Sequence, residues 1–544
     1  MHVILDTPGG VGLYLSYNII AWLITSILIA LGLWQITLNK KIYYSKMLLW
    51  LSLGCVCLII PIFYHFEFTD HAIPRVLALI GGLLFLFSLY QFQLSKLEAL
   101  RLLVLILVAV VIEASFGLVQ FFLLEEGDWG GYIVGSSRPH GVFLQPNVMA
   151  SFMATGLAIA LFISIQKRLF KNTLALKCLI LFSIFATSFL LVLLQSRTGF
   201  VAAVTVVILL APLIYQKNKK KLAVNFAIIT LAILSSIICL NNSNTPIRDE
   251  DSNKRNISVR LIFNTVSIDM VKEKPLLGFG YGGFERSFID HFNKYAIENP
   301  DIGDTITRLS HPHNEVLFWV VEGGIVALIA FILFIIGYIT TWFKIPYRQG
   351  LALLALIFPI LLHSQVEFPF YSSVSHWLIF LIMLWLLDRY SLTENAEHNF
   401  IACPQGFLIR FFALLIPSIF IPFLVTTLHT ANILVEHEKN PKKSLERFND
   451  IINPIAWQSR LDAAVYAHIL VSGIRDKDVT KLKIYVTWAL KRIRHQPRVI
   501  LYQNCLLVLK ALEQTEAYLL LLEEAKRTYP QQINWKSDIF HTDK

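Results

Sequence analysis

The chain has 544 residues, of which 56% are hydrophobic and 15% charged. A soluble domain carries roughly 25% charged residues, so this composition, with a mean hydropathy of +0.60, excludes a soluble enzyme and indicates a membrane protein with many spans. The net charge of +10 sits largely in short clusters such as "NKKIYYSK" and "YQKNKKK", which read as cytoplasmic anchoring loops; no nucleic-acid partner is expected. The six cysteines form no CxxC pair or His/Cys cluster, so neither a disulfide scaffold nor a zinc site is signalled.

In chain order, apolar runs lie near 11–37, 47–63, 73–93, 98–121, 146–166, 174–194, 199–215, 222–240, 314–343, 350–366, 374–390 and 406–428. Each is long enough for a hydrocarbon core of roughly 30 Å, which predicts about twelve membrane-spanning helices. The first run is too long, and lacks the basic leading region, for a cleavable signal peptide. Fixing the Lys217–Lys221 loop in the cytoplasm and alternating outward also puts "NKKIYYSK", "QKRLFKNTLALK" and "FKIPYR" inside. The segments 122–145, 195–198, 241–313 and 364–373, the N-terminus and everything after about residue 429 fall on the opposite face. The expected organisation is an all-α polytopic membrane domain, 1–428, with a long outer loop at 241–313, followed by a C-terminal helical domain, 429–544. Within that tail "KLKIYVTWALKRIRH" and "LYQNCLLVLKALEQTEAYLLLLEEAKRTYP" have helical spacing, and "EEAKRTYP" resembles the end of a tetratricopeptide-type hairpin.

The outer face collects the polar residues. "SRPHGVFLQPN" supplies Arg138, His140, Gln145 and Asn147; Pro146 makes Gln145 extended, not helical. "QSRTG" places Arg197 in a tiny link between two spans. In the long loop, Ile257–Val271 reads as an amphipathic helix that puts Arg260 and Asn264 on one face, and "GFGYGG" reads as a flexible turn after Pro275. "HPHNE" follows: Pro312 suits the first helical position, which would make His311 the cap and put His313 and Asn314 in the first turn. A helix N-terminus attracts anions and disfavours an imidazolium, so a histidine there stays neutral. Gly324, about three turns on, would share its face. "HSQVEFPFYSS" adds His363, Glu367 and Tyr371. Taken singly, each motif also has a plain structural reading: polar caps for the histidines, snorkelling for Arg197.

Together they describe one chemistry. Guanidiniums fork onto diphosphate oxygens, a neutral histidine takes a proton from a hydroxyl, and amides and carboxylates suit sugar hydroxyls. That is glycosyl transfer from a lipid-linked diphosphate sugar. A transporter would instead place polar residues at the bilayer midplane, in broken helices or repeats, and no repeated halves are visible. A metal enzyme would need more ligands than the His-x-His pair.

"HPHNEVLFWVVEGG", "SRTG" and "SVRLIFNTVSIDMVKEKPLLGFGYGGF" resemble the core of the O-antigen ligase and polymerase superfamily. "RPHGVFLQPNVMASF" and "HSQVEFPF" look more like its bacterial protein O-oligosaccharyltransferase branch, the PglL type. The resemblance implies a metal-independent, cofactor-free, inverting transferase in the bacterial inner membrane, with its site facing the periplasm. It would move an oligosaccharide from undecaprenyl diphosphate to a serine or threonine of an exported protein such as a pilin. The alternatives are ligation to lipid A core and O-antigen polymerisation. The family's essential histidine maps to His313, its phosphate-binding arginines to Arg197 and Arg260, and the glutamine before Pro-Asn to Gln145. Asn147, Arg138, His140, His311, Asn314, His363, Glu367 and Tyr371 are the further candidates for substrate binding. The branch usually has tyrosine where Phe368 stands; Tyr371 is the nearest hydroxyl that could replace it.

The alternation makes a prediction. A reporter fused after Lys544 should be active as alkaline phosphatase and dark as a cytoplasmic fluorescent protein; the opposite pair of readings would reverse the expected topology.

Overall fold

The computed structural model describes residues 5–530, apart from 65, 126, 129–137, 167–168, 170–173, 243–249, 301–308, 393–397, 405 and 441–444, and apart from the side chains of 250–258 and 445. Much of "EEGDWGGYIVGSS", most of "QKRLFKNTLALK" before Leu174, stretches of the long outer loop and the last residues of the tail therefore lie outside the described residues. The helices and strands in chain order are α1 (Ser16–Asn39), β1 (Lys41–Tyr44), α2 (Lys46–Ile59), α3 (Ile73–Gln91), α4 (Lys96–Leu123), α5 (Pro146–Ser164), α6 (Leu174–Leu193), α7 (Arg197–Lys217), α8 (Lys219–Asn241), α9 (Glu250–Glu273) and α10 (Phe284–Glu298). They continue with α11 (Glu315–Trp342), α12 (Tyr347–Ser364), α13 (Pro369–Ser372), α14 (Val374–Ser391), β2 (Asn399–Ala402), α15 (Phe407–Lys439), α16 (Gln458–Asp476), α17 (Val479–His495), α18 (Val499–Ala511) and α19 (Thr515–Thr528). The protein is an all-α polytopic membrane protein. Among the described residues, 11 helices are long and apolar enough to cross a membrane: α1–α8, α11, α12 and α15. Helix α14 covers the remaining expected span; His376 near one end and Asp388 and Arg389 near the other lower its average hydropathy.

The chain divides into two compact units. The first contains 1–55, 78–256 and 332–456. At its centre is α5, 94% buried along its spanning window. Its sequence, "PNVMASFMATGLAIALFIS", is rich in Ala, Ser, Gly and Thr, small residues that let neighbouring backbones come close where water supplies no driving force. Helices α4, α6, α7 and α12 all pack on it, so whatever its first turn carries is held by four neighbours.

Contacts in this unit sort by face. Strands β1 and β2 pair antiparallel, Lys41 opposite Ala402. Lys96 Nζ donates to the Leu392 carbonyl at 2.7 Å, Arg389 Nε to the Leu94 carbonyl at 2.9 Å, and Lys221 Nζ to the Ser164 carbonyl. All of these join loops that the alternation assigns to the basic face. Asp6 pairs with Lys439 at 2.6 Å, and the alternation assigns both to the other face.

The second unit contains 56–77, 257–331 and 457–544. Phe263, Val266, Met270, Phe284, Phe288, Phe292, Leu309 and Val321 form one apolar cluster. In the tail, α16 packs on α17, α17 on α18 and α18 on α19, around Tyr485, Ala489, Tyr502, Cys505 and Ala525. Asp478 caps α17 by accepting from Thr480 and Lys481, and the Arg286–Glu524 pair, at 3.1 Å, ties α10 to α19.

The glycine-rich turn is packed, not flexible. Helix α11 breaks at Gly324 (φ 62, ψ −148). The turn fills that break: Phe279 N–H donates to the Val321 carbonyl at 2.9 Å, Gly280 N–H to that of Glu322 at 3.0 Å, and Ile325 N–H to that of Leu276 at 3.2 Å. A Cβ on Gly324 would lie 2.3 Å from the Leu276 oxygen. The backbone conformation there is one that glycine alone adopts readily. Gly324→Ala is therefore expected to destabilise the protein by about 1–3 kcal/mol, read as a lowered thermal midpoint in detergent. An unchanged midpoint would mean that the break relaxes into ordinary helix.

Candidate active site

In the first unit, two of the motifs picked out in the sequence meet on one carboxylate. Gln145 is extended (φ −144, ψ 115) and Pro146 opens α5, as a residue before proline requires. That puts Gln145 and Asn147 on either side of the first helical position. Glu367 closes the turn after α12, its N–H donating to the His363 carbonyl at 2.9 Å. Asn147 Nδ2 donates to Glu367 Oε1 at 2.7 Å and Gln145 Nε2 to Oε2 at 3.1 Å. His363 Nε2 lies 3.3 Å from the same Oε2. Glu367 is 4% exposed, and both of its oxygens accept from side-chain amides.

The loop leading into α5 is fixed by two residues that the sequence reading missed. Gln120 Oε1 accepts from His140 N–H at 3.1 Å and from Gly141 N–H at 2.8 Å, and Glu113 Oε1 accepts from Val142 N–H at 2.8 Å. Both side chains are 0% exposed. They stand two turns apart on α4, and an ionisable residue inside an apolar span was the signal that could have found them. His140 is thus buried in this loop. Arg138 Nη1 donates to the Leu194 carbonyl at 3.0 Å, three residues before Arg197. Ser196 caps α7 by accepting from Gly199 N–H, which leaves Arg197 exposed at the head of that helix. Tyr371 is half-buried in α13, beside Ser372, whose hydroxyl donates to Gln145 Oε1 at 3.4 Å.

In the second unit, the start of α11 differs from the expectation. Asn314, not His311, is the cap: its Oδ1 accepts from Leu317 N–H at 3.0 Å, and the helix opens at Glu315. Pro312 precedes the cap, and His313 stands outside the helix in the left-handed region (φ 59). A non-glycine residue held there is uncommon, and such positions concentrate at functional sites. His311 holds it: its Nδ1 accepts the His313 backbone N–H at 2.8 Å. An accepting Nδ1 leaves the proton of a neutral ring on Nε2, which lies 3.6 Å from Glu315 Oε2. Burial lowers the His311 pKa below the usual histidine value. The His313 ring stacks on Phe263 at 6.0 Å, one turn along α9 from the half-buried Arg260.

Two further carboxylates of this unit were also missed. Glu315 Oε1 accepts from Trp319 Nε1 at 2.7 Å. Glu322, 1% exposed, accepts from Arg75 Nη2 at 2.5 Å and from the Gly282 and Phe284 N–H groups at 3.1 Å each. The Arg75 guanidinium lies over Phe318 and Trp319, at 4.3 and 4.1 Å. This pair secures the glycine turn against α11.

Residues 181–332 match the family model of the O-antigen ligases, and residues 351–538 match that of the C-terminal part of virulence-factor membrane-bound polymerases. The chain belongs to the O-antigen ligase and polymerase superfamily. Arg197, Arg260, His311 and His313 fall inside the ligase match, and His363 and Glu367 inside the polymerase match. Gln145 and Asn147 precede both. No curated protein matches the chain significantly. As a member of this superfamily the protein is a multi-pass membrane enzyme of glycosyl transfer, working on a lipid-linked glycan.

The role of His311 in holding His313 can be checked against this glycosyl-transfer activity. His311→Ala should cut glycosyl transfer by about fivefold, the effect of roughly 1 kcal/mol of lost hydrogen bonding. His311→Asn, whose side-chain oxygen can still accept from the His313 N–H, should recover most of it. Equal activity in His311→Ala and the wild type would show that His313 keeps its backbone conformation without His311.

Proposed function

We propose that the protein is a protein O-oligosaccharyltransferase of the inner membrane. It transfers a preassembled oligosaccharide from undecaprenyl diphosphate to a serine or threonine hydroxyl of an exported protein such as a pilin, on the periplasmic side. The observation that carries this reading is the convergence of "QPN" and "HSQVEFP" on the Glu367 carboxylate. These are the two motifs that resemble the protein-modifying branch, and they lie 220 residues apart in the chain.

In this proposal the acceptor oxygen attacks the anomeric carbon in a single displacement. The bond from that carbon to the diphosphate oxygen breaks, configuration inverts, and the electron pair leaves with undecaprenyl diphosphate. Arg197 and Arg260 are the guanidiniums that bind phosphate and stabilise the charge as it develops. His313 takes the hydroxyl proton; Gln145, Asn147 and Glu367 orient the acceptor. The match of 351–538 to a polymerase C-terminal region favours glycan chain growth as the second reading, with a sugar hydroxyl as acceptor.

His313→Ala should abolish transfer, with a loss of roughly 10²–10⁴-fold, while the protein stays folded in the membrane. Arg197→Lys and Arg260→Lys should both be strongly impaired, because lysine keeps the charge and loses the bidentate fork. The assay offers purified enzyme and lipid-linked oligosaccharide both a pilin-like protein and a glycan acceptor, and reads the added mass on each. Transfer to the glycan alone rejects the protein acceptor. Near-normal activity in His313→Ala rejects the base, and full activity in both lysine variants rejects diphosphate recognition by these arginines.

A further inference from the structure

A chain of hydrogen bonds runs behind Glu367 into the first unit. His363 Nδ1 lies 2.7 Å from Ser151 Oγ. The same hydroxyl lies 3.0 Å from His376 Nε2, and His376 Nδ1 lies 2.9 Å from Ser373 Oγ. Ser151, His363, His376 and Ser373 are all 0% exposed. They come from α5, α12, α14 and the residue that caps α14, so the chain links three helices and ends on the carboxylate.

One assignment of hydrogens carries the chain from Ser373 to the carboxylate. In it His363 Nε2–H points to Glu367 and Nδ1 accepts from Ser151. The Ser151 oxygen then accepts from His376 Nε2–H, and His376 Nδ1 accepts from Ser373. The Val148 carbonyl, 3.0 Å from Ser151 Oγ, competes for the same hydroxyl hydrogen. If it won, His363 would have to donate through Nδ1 and turn a lone pair on the carboxylate. The Ser151 hydroxyl hydrogen therefore sets which His363 nitrogen donates, and with it the donor that Glu367 receives.

We propose that Ser151, His363 and His376 are positioning residues for acceptor recognition: their buried hydrogen-bond chain holds the Glu367 carboxylate, and through it the amides of Gln145 and Asn147, in the orientation that receives the acceptor hydroxyl. This rests on the reading of Glu367, Gln145 and Asn147 as the acceptor-side residues.

The test uses the full-length protein with lipid-linked oligosaccharide. Wild type is first assayed against a protein and a glycan acceptor, which decides the acceptor class separately; the variants are then read on the acceptor that the wild type uses. Ser151→Ala and His376→Asn should raise the KM for acceptor at least fivefold while the KM for donor stays within error. His363→Ala should do the same and also lower kcat. His363→Gln, whose amide N–H can still reach the carboxylate, should recover most of the acceptor KM. An acceptor KM within twofold of wild type in Ser151→Ala and His363→Ala, or His363→Gln as impaired as His363→Ala, would overturn the proposal. Donor and acceptor KM rising together would also overturn it, since that is what general loosening of the bundle produces.

Discussion

A carboxylate at the end of an apolar helical bundle must be met by donors or give up its charge, because little water is there to solvate it. Glu367 is met by Gln145, Asn147 and His363. That requirement organises the first unit. It needs Pro146 to keep Gln145 extended, α5 to be small enough in its side chains for four helices to close on it, and α12 to end one turn before the glutamate. The loop that delivers Gln145 carries the same constraint in reverse: its backbone N–H groups are buried, and Gln120 and Glu113 supply the acceptors.

The second unit solves a similar problem around Glu322. The break at Gly324 frees backbone groups of α11, and the turn at Leu276–Gly280 takes them up. The Arg75–Glu322 pair then holds the turn, with the guanidinium covered by aromatic rings. Removing one partner from such a pair would leave a buried charge, which costs more than the pair contributes. His313 stands at the other end of the same helical segment. Its left-handed backbone is fixed by His311 on one side and by the Asn314 cap on the other, which is the pre-organisation that the proposed proton acceptor would need.

Much of this was legible in the sequence. Hydropathy marked the spans, proline marked the extended glutamine, and the polar motifs marked the face. The sequence places the start of α11 three residues too early, because Pro312 is a good first helical residue and nothing local announces a left-handed histidine. "GFGYGG" was read as flexible because the glycines' reason, close contact with Phe66, Phe68 and the α11 backbone, lies elsewhere in the chain. Glu113, Gln120, Ser151 and His376 were missed for a common reason. Each is a polar residue in an apolar run, and its partner lies on another segment, up to 225 residues away. Periodicity shows that such a residue is buried; it does not show what it meets.

The account stands or falls on whether Glu367 and the "QPN" amides act as one unit. A double-mutant cycle on transfer rate measures this directly, with Asn147→Ala, Glu367→Ala and the double variant. If Asn147 works through the carboxylate, the double variant should be no slower than Glu367→Ala alone, a coupling in the range of about 0.5–3 kcal/mol expected of residues in one hydrogen-bonded network. Losses that simply add would contradict it, and would leave Glu367 as a buried structural carboxylate with no part in how the acceptor is received.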